Sequence, residues 1–504
     1  MPGVLPVYDI NNKSANEAGD TERKARLALI NERWAYYNNG FVNLPLKVRP
    51  GKLNDNVILN LTAQAVDQEV AFFAPKPPTF VVPGGMEREP GADGRLEVVL
   101  SPEQEAVNNF LKANEFDEQI NDIGLSGFVT GHNFIRLYAP DNNDAISADN
   151  PPRMTLLDPR LVTAFWDISD IRRVLWYRLT WEMPSGDGKT VYRRQDIVPS
   201  WLLPTENTEA EEAESVDEAA SEVTWFIIEY QSKTNLQWVE VGRDEWEYTF
   251  PPIVQWKNAY APHEFYGRSD LRHTAISDAV NFIASNTARI IRYHAHPRTI
   301  IKGLDGQGLK ETSVDGMWEI GESGEVFNLE MQSDLGSSLS YLDMLRKTFF
   351  TQMRVLDIAS TKDTVGQLTN FGVQMLYKDM LDNISTKRSA YGSGLAEACR
   401  RVLEMMGFIG APKPEDKWAE PLPTNKLEVV TALEKESALG LVSTQTMQED
   451  LGRDPITEAE RMDDEKARGA DNTADVLDRI TRAGGFEFGA TNGANRNAPR
   501  LPMA

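Results

Sequence analysis

The chain has 504 residues, 41% of them hydrophobic and 9% aromatic. That composition supports a real core and excludes wholesale disorder, and the length suits two to four domains or one body with long insertions. Against 52 Lys+Arg stand 76 Asp+Glu, a formal net charge of −24, which excludes ordinary adhesion to nucleic acid or anionic membrane, where a basic face supplies the affinity.

Roughly the first 25 residues are polar and read as a loose arm. They show no basic start followed by an apolar stretch, so no signal peptide is expected. "TERKARLALINERWAYYNNGF" predicts a helix over 21–37, closed by Asn38, Asn39 and Gly40. "NDNVILNLTAQAVDQEVAFFA" predicts a second, with Val57, Leu61, Ala65 and Val70 near one face and Pro75 ending it. "SPEQEAVNNFLKANEFDEQINDIGLSGFVTG" reads as one further helix, opened by a capping box of Ser101 and Gln104.

From 134 to 250 the period becomes two. "FIRLYA", "RMTLLDP", "VTAFWD", "RRVLWYRLTWEM", "TVYRRQDIV", "TWFIIEYQ" and "QWVEVG" are aromatic and β-branched, separated by Gly, Pro and Asp turns. They predict an antiparallel meander of about six strands. Inside it, "TENTEAEEAESVDEAASE" (205–222) is a dense acidic run; a solvated loop is the first reading and an interaction tail the second.

A long helix is predicted over 269–294, about 38 Å at 1.5 Å per residue. Ile276, Val280, Ile283, Thr287, Ile290 and His294 form its packing seam, and Pro297 stops it. A Gly-rich insert at 297–332 holds two or three short strands. A second helix covers 337–356, and a third covers 370–406 with a seam of Ile384, Tyr391, Leu395, Ala398, Val402 and Met405, capped by Gly407. Three more helices follow, cut near Gly440 and Pro455, and the Gly/Asn-rich end from 484 reads as disordered.

The only cysteine, Cys399, excludes an internal disulfide framework and sits in the amphipathic "GLAEACRRVLEMM", as a buried structural thiol would. No stretch approaches the ~18 apolar residues of a membrane span, so a soluble protein made in a cytoplasm is expected.

Catalytic signals fail one by one. "GLDGQG" lacks the strand–turn–helix setting of a phosphate loop, and "GLSG" has Phe128 where a nucleophile elbow needs glycine. His294 and His296 are two apart, on different helix faces, and with five histidines and one cysteine a zinc site is not expected. "DNNDAISADN" lacks the glycine and glutamate of a calcium loop. Acidic pairs such as Asp167 with Asp170, and Asp463 with Asp464, arise by chance among 76 carboxylates. No nucleophile, base and oxyanion donor assemble, so no catalytic residue, metal or cofactor is expected.

One stretch breaks the helical pattern: "RVLDIASTKDTVGQLTNFGVQMLYKDM" (354–380), whose middle is small, polar and marked by Gly366. On its residues alone, a surface loop between helices is the first reading.

The order of elements, two helices flanking a small insert, then a polar loop, then a long helix, resembles the portal proteins of tailed double-stranded DNA bacteriophages. The resemblance runs from about 21 to 468. It is carried by "LNDNVILNLTAQAVDQEVAFFAPKPPTF", "LLDPRLVTAFWDISDIRRVLWYRLTW", "PPIVQWKNAYAPHEFYGRSDL" and "LGLVSTQTMQEDLGRDPITEAERMDDEKA", in that order. It implies an α+β portal fold assembled as a ring: N-terminal arm and wing of helices plus antiparallel sheet (1–268), first stem helix (269–295), small α/β clip (296–336), second stem helix (337–356), tunnel loop (357–369), long wing helix (370–410), helical crown (411–482) and a disordered tail (483–504).

The tunnel loop would brush passing DNA with Ser360, Thr361, Thr364, Gln367 and Thr369, Lys362 contacting the backbone, Asp363 weakening the grip and Gly366 letting the loop bend. Such hydroxyl and backbone contacts carry no sequence information. In the clip, Lys302, Asp305, Lys310, Glu311, Trp318 and Glu322 would meet the packaging motor and the tail adaptor. The implied function is a portal at one capsid vertex of the virion, made in the host cytoplasm, through which DNA enters during packaging and leaves during ejection. Its implied partners are other copies in a ring of about twelve, the terminase motor, a head–tail adaptor, the major capsid protein, a scaffold, and double-stranded DNA, with no membrane. The competing readings are another head–tail connector or minor capsid protein, and a metal-dependent enzyme.

Overall fold

The computed structural model describes residues 13–40, 45–48, 54–90, 96–140, 146–147, 150–167, 169–184, 190–203, 223–235, 237–295, 298–302, 325–329, 335–357, 370–422 and 426–441. The fold is α+β, and the pairs β1–β14, β4–β5, β4–β11, β12–β13 and those of the five-stranded sheet β6 to β10 are all antiparallel. The chain divides into one unit of 1–86 with 100–423 and another of 87–99 with 424–504.

In the first unit, helix α1 (Lys13–Tyr37) begins well before the expected position 21. Ala15, Glu17 and Ala18 extend helix-favouring sequence, and a single Gly19 is not enough to stop it. Its end is as read: Asn39 takes φ 60° and the Gly40 N–H reaches Ala35 O at 2.8 Å. Helix α2 (Leu61–Phe73) starts after Val57, not through it, because Asn60 caps it by accepting the Ala63 N–H at 3.1 Å. Val57 lies in the irregular segment that precedes the helix.

The helix expected after Ser101 is two. Helix α3 (Pro102–Ala113) and helix α4 (Phe116–Thr130) are separated by Asn114 and by Glu115 at φ 51°. The break is held from outside: Asn114 Nδ2 donates to Phe110 O at 2.8 Å and Pro152 O at 3.0 Å, and its Oδ1 accepts the Met154 N–H at 2.7 Å. Ser101 caps α3 as expected, but Gln104 does not complete the box. Its side chain instead accepts from Val82 N at 2.7 Å and donates to Phe80 O at 2.9 Å, fastening strand β1 (Thr79–Val81).

The expected single sheet is also two. Strand β4 (His132–Tyr138) lies between β5 (Arg153–Leu157) and β11 (Ile253–Lys257) in a three-stranded sheet. The meander is the five-stranded sheet of β6 (Val162–Trp166), β7 (Val174–Pro184), β8 (Thr190–Pro199), β9 (Trp225–Ser232) and β10 (Val239–Trp246), in consecutive order. Period two identifies a strand but not its partners. Residues 132–137 are buried on both faces, so β4 needs cover above and below. Helix α4 and helix α7 (Asn370–Met405) both pack against it.

At 36 residues α7 is about 54 Å long. Ile384, Tyr391, Leu395, Ala398, Val402 and Met405 are all buried, the expected seam. It ends in a Schellman turn with Gly407 at φ 92° and the Phe408 N–H on Leu403 O at 3.0 Å. Cys399 is buried beside this seam, its thiol pushed up to about 12 by burial. Beyond α7, strand β14 (Glu415–Lys417) returns to pair with β1.

In the second unit, β2 (Met86–Pro90) and β3 (Leu96–Leu100) pair, and helix α8 (Lys426–Ala438) ends at Gly440, φ 70°. Helix α8 is the first of the three helices expected here; the other two fall outside the described residues.

Candidate functional site

Two antiparallel features frame the stretch singled out in the sequence. Helix α5 (Thr274–Ala295) packs against helix α6 (Leu335–Met353), and between them β12 (Arg298–Lys302) ladders with β13 (Glu325–Leu329). Helix α5 starts later than position 269, because Ser269 and Asp270 are occupied elsewhere. Ser269 Oγ meets Phe128 O at 3.0 Å and Val129 O at 2.6 Å. Of the expected clip residues, Lys302 closes β12 opposite Glu325; Asp305, Lys310, Glu311, Trp318 and Glu322 lie outside the described residues.

The buried side of α5 is largely polar, and the chain itself covers it. Ser285 Oγ accepts the Val57 N–H and donates to Val57 O, both at 3.0 Å, while Asn281 Oδ1 accepts the Leu59 N–H at 2.8 Å. Asp55 receives Arg289 through two bonds of 3.0 and 2.6 Å, and Arg292 at 3.1 Å. Residues 55–59 are thus laced along the helix every four residues, the spacing of one helical face.

Helix α6 ends in a second Schellman turn. The Val355 N–H reaches Phe350 O at 3.0 Å, the Arg354 N–H reaches Thr351 O at 3.1 Å, and Arg354 takes φ 57°, where glycine is usual. The chain then dips inward. Asp357 is buried and accepts from Arg346 of α6 at 2.8 Å. The stretch expected as a loop is therefore anchored at its first residue. Ser360, Thr361, Lys362, Asp363, Thr364, Gly366, Gln367 and Thr369 lie outside the described residues, and α7 resumes at Asn370.

Beside this anchor, α2, α7 and the segment that precedes α5 meet at a buried charge cluster. Lys387 Nζ of α7 donates to Glu69 Oε2 of α2 at 3.0 Å and to Asp270 Oδ2 at 2.8 Å, and sits 3.9 Å over the Phe128 ring. All three charged side chains are buried. Asn258 donates to Asp270 at 3.0 Å and accepts from the Tyr391 hydroxyl at 2.9 Å, and Asn383 donates to Glu69 at 3.3 Å. One ammonium balances one carboxylate, so the second is driven to hold a proton. Burial, reinforced by Asp270, pushes Glu69 up to about 8. Burial opposes the charge on Lys387, yet Asp270 and Glu69 together outweigh it and its amine is raised.

A cavity of about 440 Å³ opens onto this cluster, lined by Asn258, Asp270, Arg272, His273, Arg354 and Lys387 among others. It brings the end of α6, the start of α5 and the middle of α7 to one place. The next residue of α7, Arg388, donates to Phe73 O at 2.9 Å, Phe72 O at 3.0 Å and Ala419 O at 2.8 Å, capping the open carbonyl end of α2.

The sequence reading missed Lys387, Glu69, Asp270 and Arg388. A signal was present for two of them: Lys387 falls between Ile384 and Tyr391 on the α7 seam, and Glu69 between Ala65 and Phe73 on α2. A charge at a seam position needs a buried partner. Asp270 carries no such mark. Among the described residues no group of three His, Cys, Asp or Glu side chains could hold a metal ion, and no helix is long and apolar enough to cross a membrane. His132 is buried and neutral, its imidazole pushed down to about 3 by burial, with Nδ1 accepting the Gly267 N–H at 3.3 Å.

A protein-family model described as "Phage portal protein, SPP1 Gp6-like" matches residues 204–471, more than half of the chain and inclusive of α5, α6 and α7. No curated protein matches.

Proposed function

The chain belongs to the phage portal protein family, SPP1 Gp6-like, and from that premise we propose that copies of it close into a ring of about twelve at one capsid vertex, where the central channel passes double-stranded DNA in during packaging and out during ejection. The observation that carries this reading is the run of elements inside the matched region: α5, the β12–β13 pair, α6, the stretch after Asp357, then α7. Helices α5 and α6 serve as stem walls, and residues 296–336 as the clip that docks the terminase motor and later the head–tail adaptor. The wing takes the chain up to 268 together with α7, and the crown takes 411–482, facing the capsid interior and its proteins.

Residues 357–369 are the tunnel loop. Asp357 held by Arg346, and α7 held at Lys387 and Arg388, support this role, because a loop that touches moving DNA needs rigid ends. Its hydroxyls contact phosphates without reading bases. A net charge of −24 per copy gives the assembly an acidic field, and acidic walls release DNA that basic walls would hold. The chain acts as a conduit; the ATP hydrolysis that drives packaging belongs to the motor.

Electron microscopy of the purified chain, viewed down the ring axis, tests the reading. A ring of about a dozen copies with an open channel supports it. Particles that stay monomeric or dimeric at micromolar concentration, in the presence of capsid protein and scaffold, overturn it.

A further inference from the structure

The cavity at the end of the five-stranded sheet has no part in the roles above. It measures about 380 Å³, inside the roughly 300–1,000 Å³ range of small-molecule pockets. It lies where β7 and β9 begin, against β11 and α7, with Tyr177, Trp225 and Trp256 as aromatic walls. Gly394 of α7 makes the room, since a side chain at that position would collide with the Trp256 ring.

Several donors around the cavity are uncommitted. Its one carboxylate, Glu397, is already taken by Arg401 at 3.0 Å and Arg400 at 2.8 Å. Arg401 gives Nε to Glu397 and Nη1 to Pro251 O and Ile253 O, at 2.8 and 2.9 Å, and its Nη2 meets no acceptor among the described residues. Tyr177 is only 3% exposed, yet its hydroxyl has no hydrogen-bond partner among them either, although the Arg401 guanidinium is close enough to act on it through charge. Burial holds that phenol well above its ordinary value, so it stays a donor. A buried hydroxyl without a partner costs free energy, which a ligand that accepts its hydrogen bond recovers. Arg172 and Lys413 stand further out and are exposed. Among the described residues neither meets a carboxylate; Lys413 Nζ reaches Ser393 Oγ at 3.0 Å.

The two uncompensated charges of Arg172 and Lys413 match a dianion, whereas a carboxylate would leave one of them unbalanced. The aromatic walls suit an apolar body joined to that dianion. We propose that this cavity binds a phosphate monoester, with the phosphate on Tyr177 and Arg401, balanced by Arg172 and Lys413, and the organic part against Trp225 and Trp256. Hydrogen bonds to a charged oxygen are the strong ones, and a ligand held in this way ties β7 to α7 and to the segment before β14. The site does not depend on assembly into a ring, because one chain supplies every group.

Calorimetric titration of the full chain with phenyl phosphate and with inorganic phosphate tests this, at constant ionic strength and about pH 7.5, where a second phosphate pKa near 6 leaves the ester dianionic. Phenyl phosphate should bind saturably, at one site per chain, and about tenfold tighter than inorganic phosphate, because the aromatic walls add apolar burial. Tyr177→Phe should weaken binding about tenfold or more, the loss of one hydrogen bond to a charged group. That variant should melt no lower than the native chain, since the hydroxyl it removes has no partner in the protein. Arg172→Gln with Lys413→Gln, at two exposed positions, should weaken binding and remove most of its salt dependence. Absence of saturable phenyl phosphate binding overturns the proposal. Binding undiminished in both variants also overturns it, by marking adsorption elsewhere on the surface. Inorganic phosphate that binds as tightly as the ester overturns the assignment to a monoester.

Discussion

Glu69 of α2, Lys387 of α7 and Asp270 of the segment before α5 are three charges distant in sequence, and the buried cluster they form has one carboxylate too many for its ammonium. The folded chain therefore keeps a proton on Glu69 up to about pH 8, whereas an unfolded chain releases it near the ordinary carboxylate value. Between those limits the folded state binds the extra proton, so stability is fullest at the acid end and falls as pH rises, on the order of 1 kcal/mol per pH unit. Melting temperatures measured from pH 5 to 8.5 should fall accordingly, and Glu69→Gln should flatten that slope; an unchanged slope in the variant would assign it to other groups. Lys387→Met leaves the buried Asp270 carboxylate without its cation, and should cost about 3–5 kcal/mol.

At the scale of elements, the lacing of 55–59 onto α5 shows why a polar helix face need not be a solvent face. Ser277, Asn281 and Ser285 are among the most buried residues of α5, and Ser285 alone satisfies both the N–H and the C=O of Val57. Ser285→Ala leaves that pair without a partner and should cost about 1–3 kcal/mol, despite the better helix propensity of alanine. Hydrogen exchange at the Val57 and Leu59 amides should speed up in the variant, while unchanged protection would mean that Asp55 with Arg289 and Arg292 holds the segment unaided. The seam of α7, the caps at Asn39, Ser101 and Gly407, and the strands of the meander were all legible in the sequence, because each is written in local periodicity or in a single capping residue. The split of α3 from α4 was not, since Asn114 breaks the helix through partners at Pro152 and Met154 that are distant in sequence. Likewise β4 reads as a strand in isolation, but its place beside β11 depends on residues more than a hundred positions away. Lys387 was visible only as an anomaly on a buried face, and its partners came from α2 and from the segment before α5.

For the whole molecule the decisive balance is between apolar surface that needs cover and charge that resists association. Tyr341 and Met344 of α6 are 46% and 51% exposed, and at a spacing of three they share one helix face. Copies that each carry −24 repel one another, so a ring must be held by contacts that burial strengthens, and screening should help rather than hinder it. The double variant Tyr341→Ser with Met344→Gln removes that apolar stripe without adding charge. Exposed positions tolerate such changes within about 0.5 kcal/mol, so the melting of the isolated chain should stay nearly constant while the ring gives way to monomer in sedimentation velocity. Raising salt from about 20 to 150 mM should favour rings of the native chain, by shortening the Debye length. Rings that form equally well in the double variant would move the interface to another face. Rings of the native chain that dissolve as salt rises would mean that ion pairs across the interface, not apolar burial, hold the copies together.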